Sequence, residues 1–318
     1  MSSLVTRLRV PACATAASVL LAGCGMATGD GAGEGREVVA SFYPLAWVTE
    51  RVAGDDWTVS NLTAPGGEPH DLELSIDATA RLAGADLVVY LDGFQPAVDE
   101  AVDTTAEGDT LDAAEVVDLA EVADHSEPGH ADEAHEEDGE GDEHAHGDLD
   151  PHFWQDPERM ALLAEAVAEE LGRLDEAGAE QYAANAEDLV TELEALDQAY
   201  EEGLRDCERD VVVVSHDAFG YLAKYGLHLE PIAGLTPDAE PTPAALAELG
   251  DLIRDEGITT VFSERLASPA MAETLASDLD VDTAVLDPVE GLTDQTAEED
   301  YVSLMRANLA ALQEANGC

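Results

Sequence analysis

The 318-residue chain carries 13 basic and 71 acidic residues, a formal net charge of −58, with 45% of its residues hydrophobic. The apolar share is that of a globular protein and the length exceeds one typical domain, so two lobes, each with its own core, are expected. The negative field excludes nucleic acid as a partner and attracts cations.

The chain opens with a targeting pattern. Arg7 and Arg9 precede an apolar run from Val10 to Leu21 that is too short for a mature membrane span, so residues 1–23 read as a signal peptide. The run ends in Leu21-Ala22-Gly23-Cys24, which resembles a bacterial lipobox. That resemblance implies cleavage before Cys24, a lipid on its sulfur, and anchoring to the outer face of the cell membrane. Residues 24–36, rich in Gly and Ala, read as a flexible tether. With Cys13 removed and Cys24 lipidated, Cys207 and Cys318 are left as a candidate disulfide in an oxidising compartment; two free thiols are the alternative.

The first lobe is expected over residues 37–176. Val38 to Phe42, Trp57 to Leu62 and Ala85 to Tyr90 read as short strands. A helix from Pro44 to Val52 and another from Asp77 to Leu82 separate them. This alternation predicts a mainly parallel sheet covered on both faces. Residues 121–148 break the pattern: nearly all Asp, Glu, Gly, Ala and His, they lack any hydrophobic period and read as a disordered insert. A helix follows in which Met160, Leu163, Val167, Leu171 and Leu174 step by three and four.

Residues 177–206 predict one long helix, with Tyr182, Ala186, Leu189, Leu193 and Leu196 on one face, of a length that suits a rigid connector. The second lobe, residues 207–318, repeats the rhythm. Strands are read at Val211 to Val214, Leu227 to Ile232, Ile258 to Phe262 and Val281 to Leu286. Helices are read at Asp217 to Tyr225, Pro243 to Arg254 and Glu298 to Leu312.

In open parallel sheets, ligands collect at the carboxyl ends of strands. His216 directly follows one strand, Ser263 and Glu264 another, and Asp287 a third. From the first lobe come His70, in Gly67-Glu68-Pro69-His70-Asp71, and His152, in Asp150-Pro151-His152-Phe153-Trp154-Gln155-Asp156-Pro157. Three imidazoles and an oxygen would complete a zinc tetrahedron. Asp156 reads as either an orienting partner of His152 or a helix cap, Glu264 as a salt-bridge or capping residue, and His228 as a surface or packing residue.

The segments around His70, His152 and His216 resemble the metal-binding motifs of the zinc and manganese solute-binding proteins of ABC importers, the cluster A-I family. The likeness covers roughly Glu37 to the C-terminus and is carried most specifically by Asp150-Pro151-His152 with Trp154 and Asp156-Pro157. It implies two α/β lobes joined by a long helix, a metal held between them, and delivery to a membrane permease. On this resemblance His70, His152 and His216 are ligands and Asp287 takes the fourth, acidic position, with Glu68 or water as alternatives. Histidine at position 216 points to Zn²⁺ over Mn²⁺. The insert histidines, His125, His130, His135, His144 and His146, are then weak auxiliary zinc collectors, or incidental. The expected protein is a monomer and not an enzyme: it has no HExxH helix and no nucleophile elbow. A zinc hydrolase and a surface adhesin are the more distant alternatives.

Overall fold

The computed structural model describes residues 36–122 and 149–318. Residues 1–35, which hold the expected signal peptide, Cys24 and most of the expected tether, and residues 123–148 of the expected insert lie outside the described residues.

The first lobe runs β1 (Glu37–Ala40), α1 (Tyr43–Ala53), β2 (Thr58–Asn61), α2 (Ile76–Gly84), β3 (Leu87–Tyr90), α3 (Pro96–Thr105), β4 (Asp109–Asp112) and the single turn α4 (Ala114–Val117). Its strands pair in parallel in the order β2-β1-β3-β4. Alternate residues serve opposite faces. Val38, Ala40, Leu87 and Val89 point into the main core, while Val39 and Val88 pack with Ala78, Leu82, Val98 and Ala101 of α2 and α3. Strands buried on both faces read as unbroken apolar runs. The edge strand β4 and helix α3 carry no such run, and sequence reasoning missed both.

Two long helices follow, α5 (Pro157–Leu174) and α6 (Ala179–Leu204). Asp156 caps α5 through the Glu158 N–H, with Pro157 set in the first turn. Helix α6 has 26 residues, about 39 Å at 1.5 Å per residue. Its buried stripe of Tyr182, Ala186, Leu189, Leu193, Leu196, Tyr200 and Leu204 runs its full length.

The second lobe comprises β5 (Val211–Val214), a 3₁₀ turn (Gly220–Tyr225), β6 (His228–Pro231), α7 (Pro243–Asp255), β7 (Thr260–Ser263), α8 (Ala270–Leu279), β8 (Asp282–Val285) and α9 (Tyr301–Asn316). Its strands are parallel in the order β6-β5-β7-β8. The helix read over Asp217 to Tyr225 is shorter and tighter than expected, because Asp217 and Ala218 give their N–H groups to Gly234 and His216 carbonyls instead. Helix α8 was not foreseen, and α9 starts at a capping box of Asp300 and Ser303. A disulfide joins Cys207, ahead of β5, to Cys318 after α9.

The expectation of two separate cores needs correction. Phe42, Trp47 and Val89, the inner faces of α5 and α6, and Val212, Val214, Phe262, Tyr301 and Met305 belong to one continuous cluster. Each lobe keeps only a small second cluster on its outer face. Wide hinging would expose that shared core, at about 25 cal/mol for each Å² of apolar surface. Among the described residues no helix is long and apolar enough to cross a membrane.

Candidate metal centre

The loops at the carboxyl ends of both sheets converge. His70 follows β2, His152 precedes α5, His216 follows β5 and Glu290 follows β8. The Nε2 atoms of the three histidines and one Glu290 oxygen lie within 4.8 Å of one another. Glu290 Oε1 is 3.5 Å from His70 Nε2, 3.6 Å from His152 Nε2 and 3.5 Å from His216 Nε2. A tetrahedral zinc shell with bonds of about 2.0–2.1 Å has ligand–ligand edges of about 3.3–3.4 Å, so these separations are nearly those of a coordination shell.

Each of these three Nε2 atoms, and both Glu290 oxygens, is buried with no hydrogen-bond partner. Buried polar atoms are normally paired, so a cluster of orphaned acceptors aimed at one point fits a cation. The side chains of His152, His216 and Glu290 are fully buried and that of His70 is 7% exposed, so the centre meets solvent beside His70.

Two histidines are held from behind. Asp150 Oδ1 is 2.8 Å from His152 Nδ1, and Glu264 Oε1 is 3.0 Å from His216 Nδ1. An ionised carboxylate only accepts, so each Nδ1 carries a proton and Nε2 is the nitrogen aimed at the centre. Burial works against a charge on His216, but Glu264 and Glu290 outweigh it and lift its pKa to about 10. Burial would raise Glu290, yet His216 and His70 hold its carboxyl well below the usual range. An entering cation therefore replaces a proton in a strongly paired site.

The His70 loop is fixed by Gln95, whose amide donates to the Pro69 carbonyl at 3.0 Å, and by Phe94, whose ring meets the imidazole edge-on at 4.6 Å. Trp154 stacks edge-on against His152 at 5.2 Å and donates its indole N–H to the Pro288 carbonyl at 2.7 Å. Gln155 donates to the same carbonyl. The segment bearing His152 thereby grips the loop bearing Glu290.

The acidic corner differs from the sequence reading. Asp287 pairs with Arg265 at 2.9 Å and accepts the Val289 N–H at 2.9 Å, so its oxygens are engaged outside the cluster. Glu290, three residues on, occupies the place assigned to Asp287. Glu68, the local alternative, turns back to accept the His70 N–H at 3.2 Å; burial and the nearby Glu290 raise its pKa to about 7. Asp156, one candidate for orienting His152, instead caps α5, and Asp150 faces the imidazole. Glu264 forms the salt bridge expected of it, and His228 is exposed on β6. The insert histidines His125, His130, His135, His144 and His146 lie outside the described residues. A second acidic group, Asp156, Glu158 and Asp197, is already filled by the Lys224 ammonium at 2.8, 2.6 and 2.9 Å.

The model of the family described as "Zinc-uptake complex component A periplasmic" (ZnuA) matches residues 38–315. The chain belongs to this family. It is 36% identical over 282 residues to the zinc-binding lipoprotein AdcA of Streptococcus pneumoniae, covering 87% of this chain and 55% of that protein. The chain thus spans about half the length of that relative. To the high-affinity zinc uptake system protein ZnuA of Bacillus subtilis it is 32% identical over 305 residues, covering 93% of this chain and 94% of the relative. The Zn(II)-bound ZnuA-like domain of S. pneumoniae AdcA superposes with a TM-score of 0.71 at 34% identity, covering 89% of this chain and 99% of that domain.

Proposed function

We propose that this chain is the extracytoplasmic solute-binding component of an ABC importer, which captures Zn²⁺ and delivers it to a membrane permease. The observation that carries the reading is the set of three orphaned imidazole nitrogens around the orphaned Glu290 carboxylate. His70, His152, His216 and Glu290 are the proposed ligands, three nitrogens and one oxygen. That mixture suits zinc better than the oxygen-rich shells favoured by manganese. Four protein ligands also close the position a hydrolytic zinc site keeps open for water, which supports a binding role over an enzymatic one. Membership of an uptake-complex family supports the same conclusion.

Two further parts of the proposal rest on sequence. Cys24 is proposed to carry the lipid that tethers the mature chain to the membrane, as a monomer; Cys24→Ser should release it into the medium. The histidine-rich insert is proposed as a weak collector feeding the centre. Glu121 and Leu149 form an antiparallel bridge at its base, so residues 123–148 can be removed with that bridge kept. The shortened chain should lose weak zinc equivalents and retain one tight one.

The reading as a whole is tested in a strain lacking the gene. Growth should fail in zinc-depleted medium and return with added zinc or with the intact gene, but not with a His216→Ala copy. Rescue by manganese but not zinc would assign the other metal, and normal growth in depleted medium would contradict the importer.

A further inference from the structure

The three imidazoles of the centre are not held alike. Asp150 stands behind the Nδ1 of His152, and Glu264 behind that of His216. His70 has no such carboxylate among the described residues; its ion-pair neighbour is Glu290, at Nε2. What meets the His70 ring from the side is Phe94, edge-on with centroids 4.6 Å apart.

Phe94 has little room to yield. It lies between β3 and α3, 5% exposed, with the Phe42 ring at 4.8 Å and the Trp154 ring at 5.4 Å. Trp154 is fully buried and tied to the Pro288 carbonyl. The residue after Phe94, Gln95, is anchored on the Thr63 hydroxyl at 3.2 Å and the Pro69 carbonyl at 3.0 Å. Close-packed interiors leave little slack, so a ring wedged in this way passes its position on to whatever it touches. Phe94 also reaches the His152 ring, at 6.2 Å, and the two imidazoles it meets are 5.4 Å apart. Any additional ligand from solvent would have to enter beside His70, the one ligand side chain with measurable exposure.

We propose that Phe94 is a positioning residue for His70 that sets the metal preference of the centre. Its ring holds His70 close to His152 and denies His70 the retreat that would admit water. The shell is thereby kept at four close-set ligands. Zinc is satisfied by four ligands rich in imidazole, whereas manganese favours a larger, oxygen-rich shell that would need those waters. The inference rests on the zinc reading of the site.

The test compares Phe94→Leu with Phe42→Leu in the mature chain. Both remove a ring from the same buried cluster, and the two rings touch each other, but Phe42 has no ring contact with the three histidines. Zinc and manganese affinities are measured by competition with chromophoric chelators, and the visible spectrum of the Co²⁺-loaded protein reports coordination number. Phe94→Leu should narrow the preference for zinc over manganese about tenfold, and should weaken the intense visible absorption of four-coordinate cobalt. Phe42→Leu should leave the preference within about twofold and the cobalt spectrum unchanged. Equal losses of zinc and manganese affinity in Phe94→Leu, with an unaltered cobalt spectrum, would mean a packing role alone and would overturn the inference. So would the same narrowing in both variants. Should Phe94→Leu fail to fold, Phe94→Met keeps the buried volume without the rigid ring and repeats the comparison. Wild-type protein that binds no zinc would defeat the functional reading; zinc bound with an unchanged preference in Phe94→Leu defeats only this one.

Discussion

His152 and Asp150 are joined twice: one carboxylate oxygen lies 2.8 Å from the imidazole Nδ1 and also accepts the His152 backbone N–H at 2.9 Å. The contact fixes ring orientation and tautomer together, so the lone pair on Nε2 faces the centre before any ion arrives. Glu264 holds the Nδ1 proton of His216 from the other lobe, so that Nε2 is the nitrogen that gives up its proton to an entering cation.

Weakening either carboxylate should therefore weaken the metal site without removing a ligand. Asp150→Asn and Glu264→Gln should each lower zinc affinity by about tenfold or more, measured by competition with a chromophoric chelator. Affinities within twofold of wild type would contradict this positioning role.

Proton linkage follows from His216. Its pKa of about 10 lies above the ordinary 6.5, so its charge stabilises the metal-free fold fully below about pH 6.5 and that contribution fades as pH rises through about 10. Glu290, depressed, contributes above its ordinary 4.5 and is lost as pH falls through its lowered value. Zinc reverses the first effect because it displaces the His216 proton. At neutral pH, calorimetry in buffers of different ionisation enthalpy should show about one proton released per zinc, and affinity should rise about tenfold per pH unit. Buffer-independent enthalpies would contradict it.

The parts of this account that were legible in the sequence share a physical signature. Val211 to Val214 is apolar at every position because both faces are covered, and the stripe from Tyr182 to Leu204 keeps helical spacing over its whole length. The histidines stood out because they sit at strand ends or between prolines. Glu290 was hidden among many acidic residues, and Asp287 stood one residue past its strand, where strand-end logic looks first. Only the pairing with Arg265 and the left-handed turn at Val289 reveal which carboxylate reaches the centre. Pro288-Val289-Glu290-Gly291, a sharp turn right after the last strand, was the available clue. The shared core was equally invisible, since periodicity shows which face is apolar and not which partner covers it.

Lys224, the chain's only lysine, ties the second lobe to α5 and to the connecting helix through Asp156 and Asp197. Its side chain is 29% exposed, so the network is partly screened. Lys224→Met should destabilise the fold by about 1–2 kcal/mol in urea titrations, because Asp156 is left buried with fewer partners. The loss should shrink at high salt. Unchanged stability would show that the cluster contributes nothing net.

The Cys207–Cys318 disulfide spans 111 residues. Replacing both cysteines by serine should cost about 3–5 kcal/mol, through the freer unfolded chain. Zinc affinity should stay within twofold, since Cys207 lies at the amino end of β5 and His216 beyond its carboxyl end. A large loss of affinity would mean that the C-terminal closure reaches the site.

The central claim is the identity of the four ligands, and a crystal structure of the zinc-loaded chain with anomalous data at the zinc edge tests it most directly. The account predicts one strong peak bonded to His70, His152 and His216 Nε2 and to Glu290, at about 2.0–2.2 Å, with Asp287 still on Arg265. A peak bonded to Asp287, or one away from these histidines, would contradict it.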